Sequence, residues 1–564
     1  MAVKGIHNPH MQTIEVADFF EPYDRPGDVV PAIRRALRQA TRGNAMIRIP
    51  EGEHHLYPEA AWEGFRYISN HDPAVRQAGI PITGKRDLVI DGNGARFICH
   101  GRIIPIFVED SERVTVTNCS FDWDIPFDGE GEVVAVDDGM VELKVRDVPH
   151  WSVRNGVFLL EGEGWHATLD QLFAFDAEQR MPAVGSGDNL GGGWHTQWHA
   201  TDLGNSRVRF SGNFKRHPRI GDRIVLRVEQ RLNPGVVMSC SSQVAMIGVS
   251  IHAAGGMGFI AQRCDGVTLH QCSVVPAQGR ISSASFDASH FVNCRGEVVM
   301  EQCRFENQLD DGCNCHGSWF PVVRRLDAHT LRVRLAHHQQ RGAPVGGTGD
   351  SFELVSRDDM RGYWSGRASV VAVRNGGTAD VTFIEALPDD VSDTDLLDNI
   401  SWQPDLTIRG CTMRGNRARA ILLKTLGRTI IEDNDFRVPG AAILGGIGCG
   451  QYHESRALGP CLIRGNRFDR CAYIKSGWGP AVIRISAQKS SPDFQLHGAM
   501  RILDNVFTTY DDDVLDVTSL ARLELKGNRV QRVDGQAIGD WYTCTDCGPV
   551  EVADNQLDEA TATS

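Results

Sequence analysis

Two adjacent aspartates, Asp310 and Asp311, stand in the stretch ENQLDDGCNCHG at residues 306–317, and Asp287 precedes Asp310 by 23 residues. Neighbouring carboxylates repel each other, and this repulsion raises the pKa of one member so that it keeps its proton. A protonated and an ionised carboxyl group side by side supply the acid and the base that cleave a glycosidic bond. The alternative interpretation is a stacked acidic ladder that holds a cation. The choice depends on whether the fold brings the three aspartates together.

A short pattern recurs along the chain and predicts the elements that carry these aspartates. It reads apolar, any, apolar, any, any, Cys or Asn, any, apolar, which is typical of a strand, a bend and a second strand. Where copies follow each other directly, their starts are 23 to 39 residues apart, which indicates a solenoid of stacked coils with the Cys or Asn residues forming an internal ladder. The pattern occurs at residues 88–95, 114–121, 244–251, 267–274, 298–305, 406–413, 429–436, 461–468, 500–507, 523–530 and 550–557.

Two long interruptions and one helical segment complete the predicted architecture. Short alternating strands fill the interruptions between the copies at 114 and 244 and between those at 298 and 406. The segment 28–41 has helical periodicity, with Asp28 as N-cap, and we expect it to cap the exposed end of the solenoid. The fold class predicted is all-β: a right-handed parallel β-helix with two inserted small antiparallel β-barrel domains and an N-terminal capping helix.

The same reasoning divides the chain into five parts. They are the cap and first coils (1–128), the first inserted barrel (129–236), the central coils with the aspartates (237–316), the second inserted barrel (317–402) and the C-terminal coils (403–564).

The distance of 23 residues between Asp287 and Asp310 equals the shortest coil period. We therefore expect Asp287 to stack on Asp310 from the neighbouring rung, about 4.8 Å away along the axis, with carboxyl oxygens roughly 5–9 Å apart. That range includes both geometries of glycoside hydrolysis, the retaining and the inverting one. Three acids favour inversion, because two can hold the attacking water while the third stays protonated.

Composition and net charge exclude some classes of binding partner and cellular location. The net charge of −14 in 564 residues argues against nucleic acid or an anionic membrane as the main partner. No apolar run reaches the roughly 18 residues that a membrane span needs. No apolar leader core is visible at the start, so we expect a secreted location only if a leader has been removed, and a cytoplasmic one otherwise. Cys544 and Cys547 form a lone CxxC, which we interpret as a pair of loop thiols rather than a zinc site.

Several further motifs resemble a known family. They are CHGRI (99–103), SERVTVTNCSFDWDIPF (111–127), SFDASHF (285–291), ENQLDDGCNCHG (306–317), RARAILLKT (417–425) and AAILGGIGCGQYHES (441–455). The chain resembles glycoside hydrolase family 110, the α-1,3-galactosidases, which are inverting, metal-independent β-helix enzymes with two inserted barrels. The resemblance implies an exo-acting enzyme that removes terminal α-1,3-linked galactose from oligosaccharides or glycoconjugates, with an α-galactosyl glycan as partner and no cofactor.

The resemblance also implies roles for the aspartates. Asp310 would be the general acid, and Asp287 and Asp311 would hold and deprotonate the water. Substrate-binding candidates come from the shared motifs and from side chains able to bond hydroxyl groups or stack on a sugar face. They are Trp123, Asp124, Asn314, His316, Arg417, Arg419, Lys424, Tyr452 and Glu454. The extra glycines of GGIGCGQYHES depart from the family, which leaves the subsite for the leaving sugar undetermined.

Two other interpretations stay open. One is a polygalacturonase-like hydrolase or uronate lyase on the same β-helix, since a paired aspartate one coil after another aspartate also occurs there. The acidic net charge disfavours such a polyanionic substrate. The other is a non-catalytic carbohydrate-binding β-helix, which would need aromatic platforms, whereas only 7% of the residues are aromatic. The sequence leaves open whether the protein forms a homo-oligomer.

Overall fold

The chain winds into a parallel β-helix, which confirms the predicted fold class. The structure is a computed structural model that describes residues 11–558 except 41–42, 194–195, 229–230, 343, 375–376, 476 and 489–492. One wall of the β-helix is a 22-stranded sheet in which each coil usually contributes two short strands with a bend between them. Its strands are Gln12–Glu15, Ala45–Arg48, Glu53–Leu56, Arg86–Cys99, Glu112–Trp123, Ser242–Ile251, Asp265–His270, Ser273–Val274, Arg295–Glu301, Arg304–Glu306, Asp405–Arg409, Thr412–Arg414, Thr429–Glu432, Asp435–Arg437, Cys461–Arg464, Arg467–Asp469, His497–Leu503, Val506–Thr509, Leu520–Lys526, Arg529–Arg532, Val550–Ala553 and Gln556–Leu557.

A second parallel ladder forms the wall that carries the aspartates. Its strands are Ala74–Thr83, Ile104–Glu109, Val236–Ser239, Phe259–Gln262, Ser289–Val292, Cys313–Arg325, Ile421–Lys424, Ile443–Ile447, Ile483–Ala487, Leu515–Thr518 and Tyr542–Thr545. Trp62–Arg66 pairs antiparallel with the first of them. The ladder places consecutive coils side by side, so residues just before neighbouring strands meet at one edge.

The Cys or Asn position of the repeat forms the predicted internal ladder. Each asparagine side chain donates to the side-chain oxygen of the next at 2.9–3.0 Å, in the order Asn434, Asn466, Asn505, Asn528 and Asn555. In the preceding coils the position is taken by buried cysteines with free thiols, Cys119, Cys272, Cys303 and Cys411. These interactions fix the bend of each coil against the next.

The N-terminal helix spans Val30–Gln39. Ile33, Ala36, Leu37 and Ala40 are all buried, as the helical periodicity predicts. The Asp28 carboxylate accepts the Val30 N–H at 3.0 Å, although the residue at the N-cap position is Val29. Residue 41, the last of the predicted segment, lies outside the described residues. Single-turn 3₁₀ helices occur at Val16–Phe19, Pro58–Ala60 and His338–Gln340. Within the described part of the chain, no helix combines the length and apolar character needed to cross a bilayer.

The first interruption is an eight-stranded antiparallel sheet. Its strands are Gly129–Asp137, Met140–Val145, His150–Arg154, Val157–Gly162, Trp165–Phe175, His199–Gly204, Arg207–Ser211 and Arg223–Val228. The buried side chains of Phe158, Trp165 and Phe210 belong to the same continuous core as the β-helix. This insertion therefore packs firmly on the coils that it interrupts.

The second interruption closes into an antiparallel barrel of its own. Its strands are the C-terminal half of Cys313–Arg325, then Thr330–Arg334, Ser351–Val355, Gly362–Arg374, Thr378–Phe383 and Leu396–Asn399. Phe320, Val333, Phe352 and Val381 form a separate buried core. Because its first strand continues directly from a β-helix strand, the barrel is anchored next to the aspartates.

Candidate active site

The strand register places Asp287 and Asp311 in line on neighbouring rungs. Ser289 pairs with Cys313, and the Ala288 N–H donates to the Asp311 carbonyl at 2.9 Å. The local coil period is therefore 24 residues, and the expected direct stacking of Asp287 on Asp310 is wrong by one residue. The spacing of sequence motifs could not fix this offset, because turns between strands absorb single-residue differences. Asp310 stands one position earlier on the same turn as Asp311.

The three carboxyl groups are closer together than expected. One oxygen of each of Asp287, Asp310 and Asp311 lies within 4.8 Å of the others, below the roughly 5–9 Å predicted from backbone stacking. The difference arises because the side chains converge on one point instead of diverging into a groove. All three are buried, with 1–7% of their surface exposed. At such short distances in a buried site, the charge of each carboxyl group acts strongly on the other two.

The aspartates line a cavity of about 620 Å³. Its walls come from four consecutive coils, from the glycine-rich segment 445–450 and from the segment that follows the first insertion. The lining residues include Asn70, Arg231, Asp287, Asp310, Asp311, Asn314, Arg419, Lys424, Tyr452, Glu454, Trp478 and Gln488. The cavity therefore combines carboxylates, cations, amides and two aromatic rings, the set of groups that recognises a sugar.

Arg419 holds Asp311 in a fixed orientation. Its Nε and Nη2 atoms donate to the two carboxylate oxygens of Asp311 at 2.8 Å each, and its backbone N–H donates to Oδ1 at 3.0 Å. Burial raises the pKa of Asp311 to about 7, while the charge of Arg419 opposes that shift. Such a two-pronged pair fixes both the position and the plane of the carboxylate.

Asp310 is less constrained. Arg231 Nη2 lies 3.6 Å from Asp310 Oδ2, and the Arg231 guanidinium stacks 4.1 Å above the ring of Phe286. Among the described residues no side chain donates a hydrogen bond to the Asp310 carboxyl group, which faces the cavity. Its oxygens are therefore available to a ligand.

Asp287 contacts the buried His290 below the cavity floor, and His290 in turn contacts a second buried histidine, His316. Asp287 Oδ2 lies 2.7 Å from His290 Nδ1, and His290 Nε2 lies 3.0 Å from His316 Nε2. His316 Nδ1 in turn lies 2.5 Å from the Gly317 carbonyl oxygen. Burial, followed by the charge of Asp310, raises the pKa of Asp287 well above its usual value, and burial lowers the pKa of each histidine to about 4.

Glu454 is the fourth buried carboxylate and lies on the opposite wall. It accepts from Asn314 Nδ2 at 3.3 Å and from Lys424 Nζ at 3.2 Å, and it lies 3.7 Å from His316 Nε2. Although burial acts in the opposite direction, the charges of His316 and Lys424 hold the pKa of Glu454 well below its usual range. Tyr452, two residues earlier, reaches the cavity with its ring near Arg231.

Four of the predicted substrate-binding residues stand behind the cavity or away from it. Arg417 pairs with Asp188 at 2.9 Å, and His316 lies under the floor. Trp123 is buried, with its indole N–H bonded to the Gly101 carbonyl, and with Asp124 it lines a different cavity of about 360 Å³. The structure therefore brings together Asn314, Arg419, Lys424, Tyr452 and Glu454 with the aspartates, and leaves Arg417, His316, Trp123 and Asp124 without direct access to that cavity.

Sequence reasoning missed four residues of the site: Asn70, Arg231, His290 and Trp478. Arg231 and Trp478 lie in irregular segments without a repeat signal, so only the folded chain reveals them. His290 did have a signal, since it follows Asp287 by only three residues inside SFDASHF, one of the motifs that carry the family resemblance.

Within the part of the chain that the structure describes, two groups of side chains are close enough to hold a metal ion. One is the three aspartates, where Arg231 and Arg419 already supply positive charge. The other is His100, Asp124 and Glu163, whose donor atoms also lie within 4.8 Å of one another. Both ring nitrogens of His100 already have partners at 2.8 Å, His55 and Glu163. Closeness alone therefore assigns no ion to either group.

Comparison with known proteins extends these observations. GLAA-B β-barrel domain I matches residues 129–224, and GLAA-B β-barrel domain II matches residues 330–397. The chain is 32% identical to the α-1,3-galactosidase A of Shewanella woodyi over 526 residues, which cover 92% of this chain and 85% of that protein.

Two further relatives carry related names. Identity is 30% over 513 residues with the α-1,3-galactosidase B of Akkermansia muciniphila, covering 89% of this chain and 64% of that protein. Identity is 28% over 544 residues with the α-1,3-galactosidase A of Bacteroides fragilis, covering 94% of this chain and 89% of that protein. With both barrel domains present and similarity extending over nearly the whole chain, this protein belongs to the α-1,3-galactosidase family of glycoside hydrolases.

Proposed function

We propose that the protein is an exo-acting, inverting α-galactosidase that hydrolyses terminal α-1,3-linked galactose from oligosaccharides or glycoconjugates. The observation that carries the proposal is the convergence of Asp287, Asp310 and Asp311 at one point of a cavity of about 620 Å³. Hydrolysis needs one carboxyl group to donate a proton and another to activate water. The names of the relatives supply the sugar and the linkage.

In the proposed mechanism Asp310 is the general acid. Its carboxyl group faces the cavity with Arg231 as the neighbouring charge, so it can reach the oxygen of the leaving group. Asp287 and Asp311 stand in line on neighbouring rungs and hold the attacking water between them. The family resemblance assigns these roles, and the closeness of the three carboxyl groups is compatible with them.

The geometry supports a neutral sugar over a polyuronate. Each of the three cations among the described lining residues already faces a carboxylate: Arg231 faces Asp310, Arg419 faces Asp311 and Lys424 faces Glu454. A uronate would need cations that are free to bind its carboxylate. The same paired groups can donate to and accept from the hydroxyl groups of galactose.

Two substrates and one product analysis test the activity. We expect galactose release from p-nitrophenyl α-galactoside and from an α-1,3-linked galactobiose. Proton NMR of the first-formed sugar should show β-galactose, because water attacks opposite to the leaving oxygen. Absence of galactose from both substrates would refute the activity, and early α-galactose would refute inversion.

The assignment of the acid and the base is tested by comparing how much activity each variant loses on substrates with different leaving groups. An aryl leaving group needs little protonation, whereas a sugar leaving group needs much. Asp310→Asn should therefore lose about 100-fold or more in kcat/KM on the galactobiose and much less on an activated aryl galactoside. Asp287→Asn should lose activity on both to a similar extent. The reverse pattern would exchange the roles of the two residues.

A further inference from the structure

The hydrogen-bonded chain below the cavity floor leads beyond the three aspartates. It runs from Asp287 Oδ2 through His290 and His316 to the Gly317 carbonyl, with contacts of 2.7, 3.0 and 2.5 Å. Every member is buried, and both histidine side chains are fully so. Because water does not reach them, these groups must satisfy one another. Asn70 Nδ2 lies 3.4 Å from His290 Nε2, but it cannot replace the proton that two ring nitrogens 3.0 Å apart need between them.

Counting protons in this chain gives a definite result. Three hydrogen bonds need three protons, but two neutral imidazoles supply only two ring N–H groups. The carbonyl can only accept, so His316 Nδ1 must donate to it. His316 Nε2 is then an acceptor for His290 Nε2–H, which leaves His290 Nδ1 without a proton facing Asp287. All three hydrogen bonds can form only if the chain carries one proton more than an ionised Asp287 and two neutral histidines would supply.

The surrounding charges accommodate that proton. Four carboxylates, Asp287, Asp310, Asp311 and Glu454, share the site with three cations, Arg231, Arg419 and Lys424. One additional proton brings the net charge of these groups to zero. Burial raises the pKa of Asp287 and lowers those of the histidines, which favours Asp287 Oδ2 as its resting place. His71, a further buried histidine near His290, also faces this group.

We propose that Asp287, His290 and His316 form a proton relay, in which His290 is a positioning residue that lets Asp287 accept the proton of the attacking water. The inference rests on the proposed function for its catalytic part. As the water O–H bond breaks, Asp287 Oδ1 gains that proton while Oδ2 gives its own to His290 Nδ1. His290 Nε2–H passes to His316 Nε2, and the resulting imidazolium lies 3.7 Å from Glu454.

The relay reverses its direction without breaking any contact. Before the step, each donor points from Asp287 towards Gly317. Afterwards, His290 Nδ1–H donates to Asp287 and His316 Nε2–H donates to His290, while His316 Nδ1–H still donates to the carbonyl. Glu454, held ionised by Lys424, is the counter-ion that stabilises the positive charge on His316. The base therefore delivers its proton to a buried pair of histidines rather than keeping it beside the substrate.

A substrate-free measurement tests the proton count. In protein labelled with ¹⁵N-histidine, multiple-bond NMR spectra distinguish the two ring nitrogens, and the His290 and His316 signals are assigned by their loss in single variants. We expect His316 protonated at Nδ1, and His290 protonated at Nε2 alone or at both nitrogens. A His290 ring protonated only at Nδ1 would overturn the relay.

A kinetic measurement tests its role. In the wild type the relay lets Asp287 act while it holds its proton, so the acidic limb of kcat/KM should reflect the ionisation of Asp311, whose pKa burial raises to about 7. His290→Asn cuts the chain, so Asp287 must then be ionised as well as Asp311, and the acidic limb should move to higher pH and become steeper, with about a 100-fold lower kcat. His316→Asn should shift the acidic limb in the same direction, and this variant provides the test if His290→Asn does not fold. His497→Asn, another buried histidine, is the matched control and should leave the limb in place.

The two measurements separate the relay from the proposed function. An active wild type whose acidic limb is unchanged in both variants would overturn the relay and leave the galactosidase assignment intact. The expected NMR pattern without galactose release would preserve the buried proton chain and refute the proposed function.

Discussion

At the scale of single residues, the burial of Asp287 that suits its proposed role as a base also lowers the stability of the folded protein at neutral pH. Its raised pKa means that the folded protein binds a proton there more tightly than the unfolded chain does. The wild type therefore loses stability as the pH rises from the unfolded value of about 3.9 towards the raised folded value. The contacts that make Asp287 a usable base thus lower the free energy of unfolding at neutral pH.

Asp287→Asn should relieve this cost. An asparagine amide can donate to His290 Nδ1 as the protonated carboxyl group does, so the contact survives while the titration disappears. We expect the free energy of unfolding at pH 8 to rise by at least about 1 kcal/mol over the wild type, with the gain vanishing near pH 4. Urea unfolding at several pH values measures it, and a gain that is equal at pH 4 and pH 8 would contradict the titration as its cause.

The three aspartates were predictable from the sequence, but their neighbours were only partly so. Carboxylates at coil spacing stand out because the repeat sets their side of the solenoid. Arg231 reaches the site from an irregular segment, and no periodicity connects such a segment to a coil. Arg419 and Lys424 were both predicted to bind substrate and both line the cavity. Strand alternation places Lys424 on the same side as Leu422, whereas Arg419 reaches the cavity from the turn before that strand.

At the scale of elements, the asparagine ladder links one coil to the next. Asn466 is buried, donates to Ile431 and Asn505, and accepts from both the backbone N–H and the side chain of Asn434. Within this ladder the repeat pattern predicted the structure well, because like residues recur at the same bend. It was less accurate for the catalytic turns, whose lengths vary from coil to coil.

Asn466→Ala should therefore be costly. It leaves buried donors of Asn434 without acceptors, so we expect a loss of about 2–4 kcal/mol in the free energy of unfolding. Asn555 accepts the same two kinds of donor from Asn528, but it stands at the partly exposed end of the ladder, where water can replace its oxygen. Asn555→Ala is therefore the matched control, with a smaller loss of about 1 kcal/mol. Equal losses in chemical denaturation would show that the ladder does not act through buried hydrogen bonds.

At the scale of the whole molecule, the second inserted barrel supports the catalytic cavity. The strand Glu454–Ser455 pairs antiparallel with Gly317 and Ser318, where the chain leaves the β-helix for the barrel. Arg456, next in sequence, bonds to Asp398 at 3.1 Å and to Glu353, both of which belong to the barrel. The position of Glu454 thus depends on a barrel that contributes no carboxylate to the catalytic cluster. The sequence could predict the barrel but not this support, because the contact joins segments more than 50 residues apart.

Arg456→Met should affect stability and substrate binding together. Asp398 is 1% exposed, and removing its partner leaves a buried carboxylate unpaired, which costs about 3–5 kcal/mol. We expect KM to rise more than kcat falls, since Glu454 moves while the three aspartates stay in place. Arg332→Met, which removes a pair with Asp380 elsewhere on the same barrel, should cost under about 1 kcal/mol and leave KM unchanged. An Arg456→Met enzyme with wild-type KM would show that the cavity holds Glu454 without help from the barrel.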